Sequence, residues 1–571
     1  MIYRSNEMRH CTRFIISVAF NLTMNINAKI LVLLAFIATC CNPTSAAKIL
    51  VVGTSNSKSH IISSGRIAEV LVKNGHNVTM ANIEMGHSLQ RFHGPKFSKI
   101  VHLGYVSVEE ERQHVQNTLE KTKGVFDPVD LFKVHASVSK MARWFNDACE
   151  NVLIQNSTAL AKLKEEKFDA LFLEHLSACG SALTEVLDIP VHFIVSSCPL
   201  FESTARVYGI DTPLGYLPAG FSYSFATDEM SFFQRARNLI EAEIVTHGWM
   251  KVYSGTTEVF RRHYGTDFPD VIDIMAAKTP FVFVAVDELI EFPRPLPPNV
   301  VNVGGLGIDF ESDSNTVLHE PFATEMSKGA KGVVFFSMGS NANTAGFPLS
   351  VKKHLFGVMA NFNDYHFILK LDQADAESRE LLKSALNVYI TPWAPQPAIL
   401  RHPRLRVFVT HGGYNSILEV AHCGKPVLLL PMMFDQLRNA GVVERNGWGK
   451  FIDPRSLVTS KSKFEEGLRE ILYNENYTVA AKRIKKLLET KPFSADEIFI
   501  KHVNFALANG GTLPELKSVA RNLNVIQQYN LDIWGMIIGG IGLVGVVVIK
   551  VVIATMARIR SHKLIQKTKQ F

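Results

Sequence analysis

The densest chemistry in the chain lies between residues 393 and 436. A β-branched run, Arg406–Thr410, leads into His411-Gly-Gly-Tyr-Asn-Ser416, and the helical pattern Ile417–His422 that follows ends at Gly424. Glycines such as Gly413 let backbone approach a ligand closely. The new helix presents unpaired N–H groups and the positive end of its dipole. His411, Asn415 and Ser416 add side-chain donors at the same place. This is how a fold holds a phosphate or diphosphate. A Gly-Gly turn alone often only connects two elements, so the neighbours carry the argument. Trp393 and Gln396 offer stacking and hydrogen bonding to a flat base. Glu419 on the helix, and Asp435 with Gln436 beyond the next strand, suit ribose and sugar hydroxyls.

These residues must be positioned by α/β units. Lys48-Ile-Leu-Val-Val-Gly53 reads as a strand buried on both faces, followed by a helix from about His60 to Asn74. Gly75 stops that helix and a second strand starts at His76, a βαβ opening that implies a parallel sheet. Further strands are expected at Ala170–Leu173 and Val191–Val195, and residues 203–280 read as mainly helical. Four prolines in Phe292–Pro298 mark a domain junction. Beyond it strands recur at Val333–Phe336, His366–Leu369, Arg406–Thr410 and Pro426–Leu430. Two doubly wound halves facing each other place ligands in the cleft, at the carboxyl ends of the strands.

The charge of the 571-residue chain is concentrated at its ends. Of the net +7, residues 1–46 carry +3 and residues 550–571 carry +6, which leaves the body at −2 and argues against a nucleic-acid partner. Lys29, the apolar run Ile30–Ile37 and the small residues Pro43–Ala47 have the parts of a secretory signal. Upstream, Phe14–Phe20 is also largely apolar, and either Met1 or Met24 serves as a start. Residues 533–557 form an apolar stretch of 25 residues, with Tyr529 and Trp534 at its edge, Lys550 able to snorkel and a basic tail behind it. That pattern reads as a type I membrane protein with a lumenal body. Lys567 and Lys569 sit where an endoplasmic reticulum retrieval signal places its lysines. Outside the leader (Cys11, Cys40, Cys41) only Cys149, Cys179, Cys198 and Cys423 remain. None forms a C-x-x-C pair, and one or two unassigned disulfides are open. Asn77, Asn156 and Asn476 head glycosylation sequons.

The run Trp393-Ala-Pro-Gln396, His402-Pro403, Thr410–Ser416, Glu419, Gly424-x-Pro426 and Pro431-x-x-x-Asp435-Gln436 resembles the donor signature of the UDP-glycosyltransferases. It is most similar to the membrane-bound animal group that includes the UDP-glucuronosyltransferases. Phe292–Pro295, Val303-Gly-Gly305 and Phe336-Ser-Met-Gly-Ser340 occur in the family's order. The resemblance implies a two-domain GT-B fold of two Rossmann-like halves with a C-terminal transmembrane helix. Its expected divisions are a leader (1–47), an acceptor domain (48–298), a donor domain (299–525), the span (533–557) and a cytosolic tail (558–571). It implies no metal and no cofactor beyond UDP-sugar as co-substrate. It places Trp393 on uracil, Gln396 beside base and ribose, and Ser340, His411, Asn415 and Ser416 around the diphosphate. Glu419 would hold the ribose, and Asp435 and Gln436 the transferred sugar.

Transfer of a sugar to an alcohol with inversion needs a base for the acceptor proton. His60, opening the first helix at the sheet's carboxyl edge, fits that need and matches the family's catalytic histidine. His76, His175 and His192 are weaker candidates. The family's orienting Asp is replaced here by Glu174, one methylene longer, and His175 beside it is an alternative partner. Leu369-Lys370 stands where relatives often carry Trp-Arg. The expected function is transfer of a glucuronosyl or glucosyl group to a small lipophilic acceptor in the endoplasmic reticulum, with homo-oligomerisation left open. The rival reading is a catalytically impaired member that binds UDP-sugar or a lipophile as carrier or regulator. A nucleotide-dependent oxidoreductase fails, because Gly53-Thr-Ser-Asn-Ser57 is not a G-x-G-x-x-G turn. The sequence names neither the sugar nor the acceptor.

Overall fold

The computed structural model describes residues 46–86, 99–308, 318–339 and 342–568. The leader with its signal, its three cysteines, Ser340 and Lys569 lie outside the described residues.

Two parallel sheets organise the body. The first runs β3-β2-β1-β4-β5-β6-β7 and the second β10-β9-β8-β11-β12-β13. In the first sheet the strands are β1 (Lys48–Thr54), β2 (Asn77–Ile83), β3 (Ile100–Leu103), β4 (Ala170–Glu174), β5 (Val191–Ser196), β6 (Val282–Val284) and β7 (Val300–Asn302). In the second they are β8 (Gly332–Ser337), β9 (Tyr365–Lys370), β10 (Val388–Thr391), β11 (Leu405–Thr410), β12 (Val427–Leu429) and β13 (Gly449–Phe451). The central strands are continuous Val, Ile, Leu and Phe runs because helices cover both faces. The order reverses direction between β1 and β4 in one sheet and between β8 and β11 in the other, and crevices open at such switch points. The five strands that the apolar pattern misses, β3, β6, β7, β10 and β13, have only three or four residues each and lie towards the sheet edges.

The domain boundary expected at residue 298 needs correction. β7 pairs in parallel with β6, Val282 opposite Val300, so the chain stays with the first sheet through Asn302. The proline run Phe292–Pro298 is a rigid connection inside the first domain. Within the stretch 299–525, the Ala495–Ala508 helix crosses back and packs on the first sheet. There Phe499 meets Phe172 and Phe283 at ring-centroid distances of 5.5 and 4.8 Å. Asn504 reaches His76 at 3.1 Å. Just before the last helix, Tyr529 donates to Asp211 of the first domain at 2.8 Å.

The last helix, Leu531–Thr568, projects from the body with its apolar side chains exposed. Its most apolar 18-residue stretch has a mean hydropathy of 2.7 and, among the described residues, Leu531–Leu564 is the one helix long and apolar enough to cross a membrane. Asn77 and Asn476 are exposed, whereas Asn156 is half-buried with its amide oxygen held by the Gly104 N–H at 2.6 Å.

Cys149 and Cys179 form a disulfide that closes 30 residues and ties the long Leu131–Gln155 helix to the Cys179–Val186 helix. Cys198 and Cys423 are free thiols. Opening a loop of that length costs about 3.6 kcal/mol in the chain-entropy account. The double change Cys149→Ala, Cys179→Ala is therefore expected to lower the denaturant midpoint, and dithiothreitol should lower the native protein to the same value. Identical midpoints for native, reduced and variant protein would contradict the bridge.

Candidate active site

The first half of the site is built at the carboxyl ends of three adjacent strands. β1 ends at Thr54, and the Lys58–Lys73 helix that follows carries His60 as its third residue. Glu174 is the last residue of β4, beside Val195 of β5, and Ser197 comes one residue after β5 ends. The Ser197 hydroxyl donates to Glu174 Oε1 at 2.8 Å and sits 2.9 Å from His60 Nδ1, as acceptor of that N–H. His60 Nδ1 itself is 3.5 Å from the same carboxylate oxygen. The longer side chain thus reaches the histidine through a serine bridge. Its other oxygen accepts the Leu176 N–H at 3.1 Å. His175 Nδ1 lies 2.9 Å from Oε1 but outside hydrogen-bonding alignment. With Nδ1 carrying the proton, Nε2 of His60 keeps the lone pair.

Electrostatics match that arrangement. Burial alone would push the His60 pKa down, but the Glu174 charge and hydrogen bonding, with the Asp435 charge, outweigh it and hold it above 6.5. Burial likewise opposes ionisation of Glu174, yet His175 and His60 hold its carboxyl well below the usual range. His192 and His76, the remaining candidates from the sequence, have structural places. His192 is buried between Ser181 (3.1 Å) and Thr279 (2.8 Å), with its pKa lowered to about 3 by burial and the Lys278 charge. His76 accepts the Ala47 N–H at 3.3 Å.

The second half forms at the switch point of the second sheet. His411 follows β11, and the Tyr414–Cys423 helix starts from Gly413 without a side-chain cap, leaving its first N–H groups for a ligand. The His411 ring is wedged between two glycines. A Cβ on Gly339, whose φ is +70°, would lie 2.5 Å from Cε1, and one on Gly413 would lie 2.6 Å from Nε2. Burial first, then the Lys370 charge, lowers the His411 pKa to about 4, so the imidazole is neutral in the free cleft. Lys370 ends β9 and donates to the Gly339 carbonyl at 3.2 Å. That places it at the anion end of the site, where the sequence suggested only a change in packing beside the base.

Gln396, Ser416 and Glu419 come together as one group. Gln396 Nε2 donates to Glu419 Oε2 at 2.8 Å and to Ser416 Oγ at 3.2 Å, and Arg66 of the first domain stands 4.0 Å from Glu419. Trp393 remains 65% exposed, its ring free to receive a flat partner. Asp435 is half-buried at the start of the Gln436–Arg445 helix, and its Oδ2 accepts from Asn439 at 2.7 Å. Burial raises its pKa. Gln436 is less free than its position suggests. Its Oε1 accepts the N–H groups of Met432 (2.8 Å) and Met433 (3.0 Å), so only its NH₂ can serve a ligand. Phe434 between them has φ +61°, a strained backbone of the kind concentrated at functional sites.

A cavity of about 240 Å³ joins the halves. His60, Ser197, His411, Gly413, Asn415, Ser416, Asp435 and Gln436 all line it. Glu174 backs it from a small adjoining void that also touches Ser197 and Asn415. Trp393, Gln396 and Glu419 lie outside its lining, and Gln396 links Glu419 to it through Ser416. The opposite wall is apolar and aromatic, with Met141, Trp144, Phe145, Phe201, Phe221 and Trp249. The sequence reading missed Ser197 and this wall. Ser197 carries no motif, and the aromatics lie scattered over more than one hundred residues.

Comparison with known proteins agrees with this geometry. A family described as "UDP-glucoronosyl and UDP-glucosyl transferase" matches residues 47–570. The Caenorhabditis elegans protein ugt-47, which carries a UDP-glucuronosyltransferase name, is 38% identical over 490 residues, 86% of this chain and 89% of that relative. Human UDP-glucuronosyltransferase 3A2 is 27% identical over 518 residues, covering 90% and 94%. Among solved structures, the kitacinnamycin glycotransferase superposes with a TM-score of 0.54 at 18% identity, covering 80% of this chain and 99% of its own. The glycosyltransferase SnogD from Streptomyces nogalater gives 0.51 at 17%, covering 81% and 100%. Both are likenesses of fold, and they identify the architecture as GT-B.

The serine bridge yields a pH test. A base works in its neutral form, and a raised His60 pKa puts the acid limb of kcat/KM above pH 6.5, with activity rising as pH passes through it. Glu174→Gln removes the charge that raises this pKa. The limb should move to lower pH while the plateau falls about a hundredfold. Ser197→Ala keeps the charge and loses the bridge, so its limb should stay near the native position while the plateau falls about ten- to a hundredfold. A Glu174→Gln limb that does not move would show that the carboxylate does not act on the base.

Proposed function

The chain belongs to the UDP-glucuronosyl and UDP-glucosyl transferase family and is a UDP-glycosyltransferase, and on that premise we propose that it moves a hexosyl group, with inversion, to the hydroxyl of a small lipophilic acceptor, His60 acting as general base. The observation that carries this reading is the His60–Ser197–Glu174 relay facing His411 and Asp435 across one cavity. The acceptor O–H gives its proton to His60 Nε2 as its oxygen attacks the anomeric carbon. The bond from that carbon to the diphosphate oxygen breaks, and UDP leaves with the electron pair. The imidazolium formed is stabilised by Glu174, through the Ser197 hydroxyl and directly across 3.5 Å.

On the donor side, Trp393 would stack on the uracil, Gln396 and Glu419 would hold base and ribose, and the helix start at Gly413–Ser416 with His411 would take the diphosphate. Asp435 and the Gln436 amide would orient the sugar. Lys370 beside His411 supplies positive charge where the diphosphate develops negative charge, so the reading includes no metal requirement. The aromatic wall supports a flat, apolar acceptor. The impaired-member alternative rests on Glu174 alone, and the serine bridge weighs against it.

We also place the body in the lumen of the endoplasmic reticulum as a type I protein. The single apolar C-terminal helix, the basic residues after it and the Cys149–Cys179 disulfide support this.

A donor panel on the membrane fraction, scored as UDP released with a phenol acceptor, tests the reading. Turnover with at least one UDP-hexose or UDP-glucuronate is expected, surviving EDTA and falling at least a hundredfold in His60→Ala. His411→Ala should also cut turnover severely, since the diphosphate loses a buried donor. Full activity in His60→Ala would overturn the base, and loss in EDTA rescued by Mn²⁺ or Mg²⁺ would overturn the metal-free reading.

A further inference from the structure

We propose that the acceptor site has two chambers, and that the enzyme is built for elongated amphiphilic acceptors whose hydroxyl meets His60 while an uncharged apolar tail fills the second chamber. This rests on the function proposed above and names its substrate class. A second cavity, of about 280 Å³, lies beside the catalytic one. Met141, Phe221, Met433, Phe434 and Lys121 line both, so the two are neighbours across a thin partition and not separate surface features. Continuity with the catalytic chamber decides the occupant. A molecule with its nucleophile at His60 and more length than the first chamber holds has this space to enter.

The chemistry of the lining decides the tail. Val125, Val129, Val134, Val138, Met432 and Leu437 make its surface apolar. Several of its charged residues are already engaged. Asp130 caps the Leu131–Gln155 helix by accepting the Phe132 N–H at 2.9 Å, and Arg455 pairs with Asp453 at 2.8 Å. Asp127 and Asp130 offset Lys121 and Lys133, which leaves no net charge to recognise an ion. The partition is made of side chains that can yield: Phe221 and Phe434 meet edge to face at 5.0 Å, and Met141 and Met433 are unbranched. Phe434 sits in the strained turn directly before Asp435, so a tail that packs on it also touches the element holding the sugar carboxylate.

Gly124 offers a clean way to close the chamber. It is the last residue of the Val108–Gly124 helix and lines only the second cavity, and a Cβ added there meets no heavy atom within 4 Å. Gly124→Phe should fill the space without disturbing the backbone, and Val129→Phe fills it from the loop that precedes the Leu131–Gln155 helix. Binding of 4-alkylphenols from ethyl to nonyl would be measured on the full chain in lipid nanodiscs by quenching of tryptophan fluorescence, without UDP-sugar. Trp144 and Trp249, which line the catalytic chamber, report the binding.

Native protein is expected to gain about three- to fourfold in affinity per methylene until the chamber is full. Gly124→Phe should bind 4-ethylphenol as the native protein does and lose that gain. Because lipid takes up the phenols equally in both cases, the ratio of native to variant affinity isolates the chamber. A ratio that stays flat along the series for both variants overturns the proposal, as does a native affinity that ignores tail length. Protein that binds long phenols and transfers no sugar would sink the function and keep the chamber. Protein that glycosylates 4-ethylphenol without regard to tail length would do the reverse.

Discussion

The site depends on a buried guanidinium that belongs to one domain and is satisfied by the other. Arg438, on the helix that starts with Gln436, is 2% exposed. Its partners are the Glu291 carboxylate and the Pro218 carbonyl, and its guanidinium lies over the Phe292 ring, all in the first domain. A charge taken out of water is tolerated only while its hydrogen bonds are met, so the two domains cannot part here without stranding it. Asp435, three residues before Arg438, is thereby fixed relative to His60. Tyr414 repeats the device on the neighbouring helix, its hydroxyl accepting the Asp287 N–H at 2.8 Å while Asp287 holds Lys491. The helix start beside His411 and the turn at Asp435 are in this way held against the domain that carries His60.

That locking explains which parts of the protein were legible in its sequence. Central strands such as β1, β4, β8 and β11 are continuous apolar runs because helices bury both faces, and such runs stand out unaided. The glycine turn around His411 is equally plain, since backbone approach to an anion demands those residue types in that order. Strands such as β7 and β13 are three residues long, and only their pairing with a neighbour makes them strands. The domain boundary was misplaced for the same reason. Four prolines signal a stiff segment, but not on which side of it the next strand will pair. The returning Ala495–Ala508 helix is an ordinary amphipathic helix whose docking partner, Phe499 on Phe172, is set by three-dimensional proximity alone.

Glu174 shows the limit at a single atom. From the sequence, one added methylene forces a choice between an adjusted backbone and a weakened pair. The fold takes a third course, in which the carboxylate stays back, accepts the Leu176 N–H, and speaks to His60 through Ser197. Nothing about Ser197 in the sequence distinguishes it from other serines. Its role exists because β4 and β5 are adjacent, so the residue after one strand meets the end of the other. Gln436 carries the complementary lesson. A motif position marks where a residue sits, while its amide oxygen is spent on the Met432 and Met433 N–H groups.

The neutral state of His411 bears on how the leaving group is handled. A histidine at about pKa 4, buried beside Lys370, is neutral at neutral pH. A diphosphate arriving against it would reverse the balance, because an anion within a few ångströms favours the charged imidazole. In the proposed reaction, as the bond to the sugar breaks and negative charge grows on the diphosphate oxygen, donation from His411 would strengthen where the transition state needs it and weaken again when UDP departs. His60 changes in the opposite sense. Its pKa is raised by Glu174 against the effect of burial, and in the proposed reaction it would gain its proton as His411 gains its partner. The two histidines face one cavity from two sheets, and burial together with neighbouring charge, not residue type, shifts their pKa values in opposite directions, which is what the proposed roles of base and hydrogen-bond donor require.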